Sequence, residues 1–137
     1  MEKKVLRSFF AAVCIAGLGL IATLSTARAA EGDVEINAEN FPDENFRAYA
    51  ATRDTDGDGV LSLGERNSVR NISLADEIYE DLSGIEFFPY LGPLQCSNVG
   101  LKTLDVSQNP ELINLSCVGN PELAELDLTK NSKLLTL

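Results

Sequence analysis

The stretch DTDGDGVLSLGE, residues 54–65, decides how the N-terminal half of this chain folds. Three aspartates alternate with other residues, and a glutamate closes the stretch. Four carboxylates held in one turn repel each other unless a cation lies among them. A hard divalent cation prefers many oxygen ligands, and this spacing supplies them. The alternative is an acidic surface turn that holds no ion.

The pattern D-x-D-x-D-G-x5-E resembles the calcium loop of the EF-hand family. That resemblance implies a Ca2+ site made by six residues: Asp54, Asp56, Asp58, Val60, Ser62 and Glu65. The four acids would give carboxylate oxygens, Val60 its backbone carbonyl, and Ser62 its hydroxyl or a bound water. Gly59 allows the sharp turn, because a residue without a Cβ takes positive φ at little cost.

Helices are expected on both sides of this loop, so that residues 40–71 form an EF-hand. Asn40 or Phe41 is expected to cap the entering helix, with Pro42 in its first turn. The Ser62–Glu65 capping box should begin an exiting helix of about two turns. The sequence contains no second loop of this kind, and a single hand predicts weak binding, in the range of about 10⁻⁴–10⁻³ M. A structural calcium is therefore favoured, and a calcium-responsive regulator is the alternative.

Residues 1–29 have the pattern of a secretory signal peptide. A basic start is followed by an apolar run over 9–24 and by a small-x-small cleavage site at 27–29. The alternatives are an uncleaved anchor, which needs roughly twenty apolar residues, and a lipoprotein cut at Cys14, which lacks the small residue expected before it. The pattern predicts a secreted or cell-surface protein with no membrane span after cleavage.

Removing this segment, whose net charge is +3, takes the net charge of the chain from −10 to −13. Such a chain repels nucleic acid and anionic membranes and attracts cations. The sequence has no histidine, which removes the commonest general base. An enzyme, for example a glycan hydrolase that uses two carboxylates, has no support beyond the abundance of acids. We therefore expect a protein that is not an enzyme.

From residue 91 the chain repeats L-x-x-L-x-[CVL]-x-x-N every ten or eleven residues, and the full period is 21–22 residues. Prolines inside the pattern exclude a coiled coil. The pattern resembles the leucine-rich-repeat family, and most of all its subgroup with a nested half-repeat. The resemblance implies an α+β chain, in which an EF-hand helix-loop-helix precedes a solenoid with two narrow parallel sheets facing opposite ways.

The remaining boundaries follow from composition. Residues 30–39 are acidic and are expected to be flexible. Residues 72–90 are expected to link the halves as an irregular capping repeat, whose aromatic cluster at 87–90 closes the end of the solenoid. The repeats at 91–137 stop at the start of a third coil. We expect that they are truncated, or that association through this open end covers it.

Cys96 and Cys117 fall on one inward stripe of the solenoid. We expect them to pack as small apolar residues, although export would permit a disulfide. Asp105 and Asp127 are expected on one outer face, as a solvated edge or as a weak site for a cation or polar ligand. The repeated asparagines are expected to hydrogen-bond backbone: Asn109, Asn120 and Asn131.

A signal peptide, one EF-hand and short leucine-rich repeats together resemble leucine-rich-repeat proteins that bacteria export. That resemblance implies surface binding and adhesion. The partner would be an unidentified protein or glycan, held on a broad rigid surface.

Overall fold

The computed structural model describes residues 32–137, and the predicted signal peptide lies outside them. The elements in chain order are β1 (Val34–Glu35), α1 (Glu44–Ala51), β2 (Val60–Leu61), α2 (Leu63–Ser68), β3 (Ile72–Ser73), a 3-10 helix (Ile85–Phe87), β4 (Pro93–Gln95) and β5 (Asn114–Ser116). Strands β1 and β2 form an antiparallel pair, and β3, β4 and β5 form a parallel sheet in that order. No helix in the described part of the chain is long and apolar enough to cross a membrane.

Helix α1 begins later than the sequence predicts. Its N-cap is Asp43 rather than Asn40 or Phe41, and the Asp43 Oδ1 atom accepts a hydrogen bond from the Phe46 amide at 2.8 Å. Pro42 therefore precedes the cap instead of lying in the first turn. The physical reason is that Phe41 is fully buried in the core, whereas the carboxylate of Asp43 reaches an unpaired amide of the first turn.

Helix α2 has the predicted capping box. The Ser62 hydroxyl accepts from the Glu65 amide at 3.3 Å, and the Glu65 carboxylate accepts from the Ser62 amide at 2.9 Å. The helix is short, and Leu63 on its first turn is 52% exposed. Contact with the core comes instead from the residues on either side of it, Leu61 and Val69, which are both buried.

At the N-terminal end the structure differs from the flexible segment expected over residues 30–39. Val34 and Glu35 form β1, which pairs with Leu61 and Val60 of β2. Two interactions explain the difference. The apolar side chain of Val34 is buried in the core, and the backbone groups at the edge of β2 form hydrogen bonds with β1.

The C-terminal half is a stack of coils joined by the parallel sheet. Ile72 pairs with Leu94, and Leu94 pairs with Leu115, so that one buried apolar side chain lies directly above another. A further parallel bridge joins Asn114 to Thr136 and continues the stack by one coil. The predicted period of 21–22 residues is therefore the spacing between paired strands.

The second of the two predicted sheets is reduced to a single bridge between Asp81 and Thr103 within the described residues. The reason is local. On this side of each coil an aspartate accepts a hydrogen bond from the amide two residues further on, which turns the chain before a strand can extend. These bonds measure 2.8–2.9 Å and belong to Asp81, Asp105 and Asp127.

The repeated asparagines are buried and join each coil to the one before it, as their predicted backbone role requires. Asn120 Nδ2 donates to the carbonyls of Cys96 and Cys117, both at 2.8 Å. Its Oδ1 atom accepts from three successive amides at 3.0–3.1 Å: Val99, Gly100 and Leu101. One side chain therefore satisfies five backbone groups that the tight turn leaves without partners.

The two halves meet through aromatic packing. The ring of Phe41 lies 5.6 Å from that of Phe87 in an edge-on arrangement, and Phe88 is fully buried. Tyr90 does not close the end of the solenoid as expected, because its side chain is 44% exposed and stacks under the guanidinium of Arg70 at 4.5 Å. A tyrosine keeps its hydroxyl in water at little cost, whereas Phe87 and Phe88 carry no polar atom to satisfy.

Cys96 and Cys117 are both free thiols, as predicted. Burial, with a smaller contribution from Cys117, raises the pKa of Cys96 to about 12, and burial also raises the pKa of the half-buried Cys117. At pH 8 the thiolate fraction of Cys96 is thus about three orders of magnitude lower than for an ordinary thiol.

We therefore expect Cys96 to react with a thiol reagent at pH 8 only as fast as the chain opens, and much more slowly than Cys117. The measurement is the rate of thiol modification in the Cys117→Ala and Cys96→Ala variants, which each keep one thiol in residues 32–137. Denaturant should make the two rates equal. Fast modification of Cys96 in the folded state would contradict this prediction.

Candidate metal centre

Three aspartates converge in the loop between α1 and β2. Each of Asp54, Asp56 and Asp58 offers a carboxylate oxygen, and the three oxygens all lie within 4.8 Å of one another. The backbone of the loop fixes the first of them, because Asp54 Oδ1 accepts from the Gly57 amide at 2.7 Å and Oδ2 accepts from the Gly59 amide at 2.9 Å. Gly59 has φ of 83°, as its position in the turn requires.

The other two aspartates are held in the same way. Asp56 Oδ1 accepts from the Asp58 amide at 3.3 Å, and Asp58 Oδ1 accepts from the Val60 amide at 2.9 Å. The amide of Asp58 lowers the pKa of Asp56, but desolvation and the negative charges of Asp58 and Glu65 outweigh it and raise that pKa above its usual value. The loop is therefore folded so that like charges meet, which a cation would relieve.

The structure does not bring Glu65 into the cluster of three aspartates. Its Oε1 atom accepts from the amide and the hydroxyl of Thr55 at 2.5 and 2.7 Å, and its Oε2 atom accepts from the amide and hydroxyl of Ser62 at 2.9 and 2.8 Å. The Thr55 hydroxyl makes the largest contribution to lowering the pKa of Glu65, to about 2. Glu65 is thus a buried, ionised carboxylate that ties the start of the loop to α2.

The remaining two predicted ligands lie in β2 and at the cap of α2. Val60 is half-buried and belongs to β2, while Ser62 is the N-cap residue whose hydroxyl bonds to Glu65. These residues fit a hard cation in their chemistry, since the set contains only carboxylate, carbonyl and hydroxyl oxygens. The three aspartates could hold a metal ion, and their oxygens are already drawn together by the loop amides.

Two residues that fix the loop and the helix before it were not predicted from the sequence. Thr55 binds Glu65 with both its amide and its hydroxyl, and the second position of the loop gave no signal for that role. Asp43 also binds the Glu80 amide through Oδ2 at 2.9 Å, which fixes α1 to the first coil. The pairing of a helix cap with a residue 37 positions away could not be seen without the tertiary structure.

A second polar site lies on the side of the solenoid where the Asp81–Thr103 bridge is found. It is an open groove of about 840 Å³. Five carboxylates line it: Asp81, Glu86, Asp105, Glu125 and Asp127. Lys102 also lines it, but its ammonium pairs with Glu80 at 2.8 Å. The groove is therefore strongly negative.

The expected stacking of Asp105 and Asp127 on one face is consistent with this groove, which both residues line. The Ser107 amide lowers the pKa of Asp105, and the Thr129 amide lowers that of Asp127. Both carboxylates thus have a structural role in turning the chain. The same kind of bond joins Asp81 and Ser83, but the bridge between Asp81 and Thr103 places Asp81 two positions before Asp105 in the register of the coils.

The stacked coils and the parallel sheet define a leucine-rich-repeat-like fold that follows a helical unit with an acidic loop. Among solved structures, the chain is similar to one described as the functional domain of InlJ from Listeria monocytogenes, which includes a cysteine ladder, with 28% identity and a TM-score of 0.63. The match covers 77% of this chain and 23% of that chain. No protein-family model and no curated protein matches the chain.

Proposed function

We propose that this chain is a secreted or cell-surface recognition module, built from leucine-rich repeats of the nested half-repeat kind and stabilised by one Ca2+ in an EF-hand. Its function would be to bind a protein or glycan ligand on the surface of its coils. The stack of coils, which is similar in fold to the functional domain of InlJ, supports a role in binding because stacked repeats present an extended surface, and the predicted signal peptide supports export. No step of this function requires catalysis.

One observation carries the calcium part of the proposal, namely the three carboxylate oxygens that lie within 4.8 Å of one another. The six residues that would hold the ion are Asp54, Asp56, Asp58, Val60, Ser62 and Glu65. Glu65 would contribute its carboxylate by exchanging some of its bonds to Thr55 and Ser62 for the ion, since its two oxygens already accept four hydrogen bonds. Calcium accepts this mixture of carboxylate and carbonyl oxygens more readily than Mg2+, which demands a stricter octahedron.

Calcium is expected to raise the thermal unfolding midpoint of the chain relative to a chelator. For a dissociation constant near 10⁻⁴ M, 10 mM calcium adds about 2.7 kcal/mol of stability, which shifts the midpoint of a domain of this size by roughly 10 °C. The measurement is thermal unfolding in calcium, in magnesium and in chelator. If the unfolding midpoint is the same in calcium, in magnesium and in chelator, the chain does not bind a stabilising calcium ion.

The variant for this test is Asp56→Asn, because Asp56 is exposed and makes a single weak bond with the loop backbone. It should lose most of the calcium-induced shift, and its midpoint in chelator should not fall, because the change removes one of the charges that repel each other in the loop. Glu65→Gln is less suitable, since it also breaks the bonds to Thr55 and Ser62. Asp76→Asn, an exposed aspartate outside the loop, is the matched control and should keep the full shift.

The recognition part of the proposal is supported by the acidic groove. Its five carboxylates favour a ligand with positive charge, and they disfavour nucleic acid and anionic glycans. We therefore place basic peptide segments of a partner protein first among the ligands. Glu125 is exposed and lines the groove, so a change of its charge is the least disruptive probe.

A binding screen of basic, neutral and acidic peptides and of glycans tests this part. Basic peptides should bind most strongly, and Glu125→Lys should weaken them by about fivefold, with less effect in high salt. Glu39→Lys makes the same change at an exposed position in the N-terminal half and should have little effect. The groove would be excluded as the binding surface if all peptides bound equally well. It would also be excluded if Glu125→Lys and Glu39→Lys lost the same affinity for basic peptides.

Association through the C-terminal end of the solenoid is a further element of the proposal. Leu135 and Leu137 are 83% and 71% exposed there. Sedimentation at increasing concentration tests it, and a chain that stays monomeric at high micromolar concentration would rule it out.

A further inference from the structure

The strand β2 lies inside the acidic loop, and its outer edge is covered by the N-terminal segment of the same chain. β1 pairs with β2 through Val34–Leu61 and Glu35–Val60. Beyond this pair, the Ile36 amide donates to the Gly59 carbonyl at 3.0 Å. The guanidinium of Arg66, on α2, donates to the carbonyl of Gly32 and holds the start of the segment. Residues 32–36 are thus attached at both ends.

The register of this pairing decides where the Val60 carbonyl points. In an antiparallel ladder, residues alternate between positions that bond across to the partner strand and positions that face away from it. The bond from Ile36 to Gly59 marks Gly59 as a bonded position, so Val60 faces away from β1 and Leu61 faces towards it. The Val60 amide agrees with this, because it donates to Asp58 Oδ1 inside the loop. The Val60 carbonyl is therefore left free on the side of the aspartates.

An unpaired strand edge in a loop is a place where a second chain can pair. Here that edge is already occupied, so that the loop needs neither a second loop nor a second copy of the chain to complete it. A shift of the register by one residue would reverse these directions, turning the Val60 carbonyl towards β1. Pairing with β1 thus fixes one of the six proposed ligands.

We propose that residues 32–36 are an intramolecular clamp that takes the place of a second calcium loop, so that ion binding and closure of the clamp stabilise each other. This inference rests on the calcium site proposed above. Coupling of this kind is reciprocal: the clamp strengthens calcium binding by the factor by which calcium strengthens the clamp. Each chain should accordingly bind one ion without a second copy pairing at the loop.

The experiment is calcium titration by calorimetry with the variants Ile36→Pro and Ile36→Ala. Both remove the half-buried side chain, but only proline removes the amide that donates to Gly59. The affinity of Ile36→Pro should be about tenfold lower than that of Ile36→Ala, as the loss of one backbone bond and its neighbours predicts. Equal affinities in the two variants would overturn the clamp while leaving the calcium site intact.

Two further readouts keep the inference testable if Ile36→Pro does not fold. Arg66→Gln releases only the Gly32 end, and it should bind calcium about threefold more weakly than the wild type. Hydrogen exchange of the Ile36 and Leu61 amides should slow on addition of calcium to the wild type. An unchanged affinity in Arg66→Gln with unchanged exchange, or calcium-dependent dimers, would overturn the clamp. A wild-type chain that binds no calcium would overturn the clamp and the proposed site together.

Discussion

The substitution Asn120→Ala is expected to destabilise the folded chain by about 3–5 kcal/mol, one of the two largest effects for a single residue here. Asn120 is buried and serves five backbone groups, with bonds of 2.8–3.1 Å. Alanine would leave three amides and two carbonyls without that partner in a region where water enters poorly. Each buried polar group without a partner costs about 1–3 kcal/mol, and local relaxation recovers part of the total.

The measurement is urea unfolding of Asn120→Ala beside Asn109→Ala and Asn131→Ala. The latter two side chains occupy the same position in neighbouring coils, but within the described residues each is seen only to donate twice, to carbonyls of the preceding coil. Asn109→Ala and Asn131→Ala should therefore each be destabilised less than Asn120→Ala. If all three variants lose the same free energy of unfolding, the three hydrogen bonds that Asn120 Oδ1 accepts do not contribute to stability.

The substitution Gly84→Ala is expected to cost about 3 kcal/mol, because it strikes the contact between the two halves of the chain. Gly84 has φ of 104°, a backbone conformation that alanine rarely adopts. A Cβ there would overlap the ring of Phe41 and lie 2.7 Å from the Asn40 carbonyl oxygen. Phe41 is fully buried and cannot move without disturbing Phe46 and Phe87 beside it.

Gly64→Ala is the matched control, since it adds the same methyl group inside α2. The nearest atom to its Cβ is Ser62 Oγ at 3.9 Å, so the new group has space, and alanine favours a helix by up to about 1 kcal/mol. Thermal or urea unfolding should therefore show a large loss for Gly84→Ala and a small gain for Gly64→Ala. Comparable stability in the two variants would mean that the halves do not pack as the structure has them.

The sequence determined those features that depend on residues close together in the chain. The spacing of Asp54, Asp56 and Asp58 within one turn predicted their convergence, and the structure brings their oxygens together. The capping box between Ser62 and Glu65 was predicted for the same reason, because both residues belong to one helix start. The period of 21–22 residues predicted which leucines stack, since every coil repeats the same pattern and reinforces the prediction.

Only the tertiary structure decided which distant groups meet. The acidic composition of residues 30–39 gave no sign that Val34 would pair with Leu61, because a two-residue strand forms only when a partner edge is available. The same limit hid the bond between Asp43 and Glu80 and the contact between Gly84 and Phe41. Local spacing fixes what a short segment can do, whereas pairing between segments depends on the shape and the unsatisfied backbone groups that the rest of the fold presents.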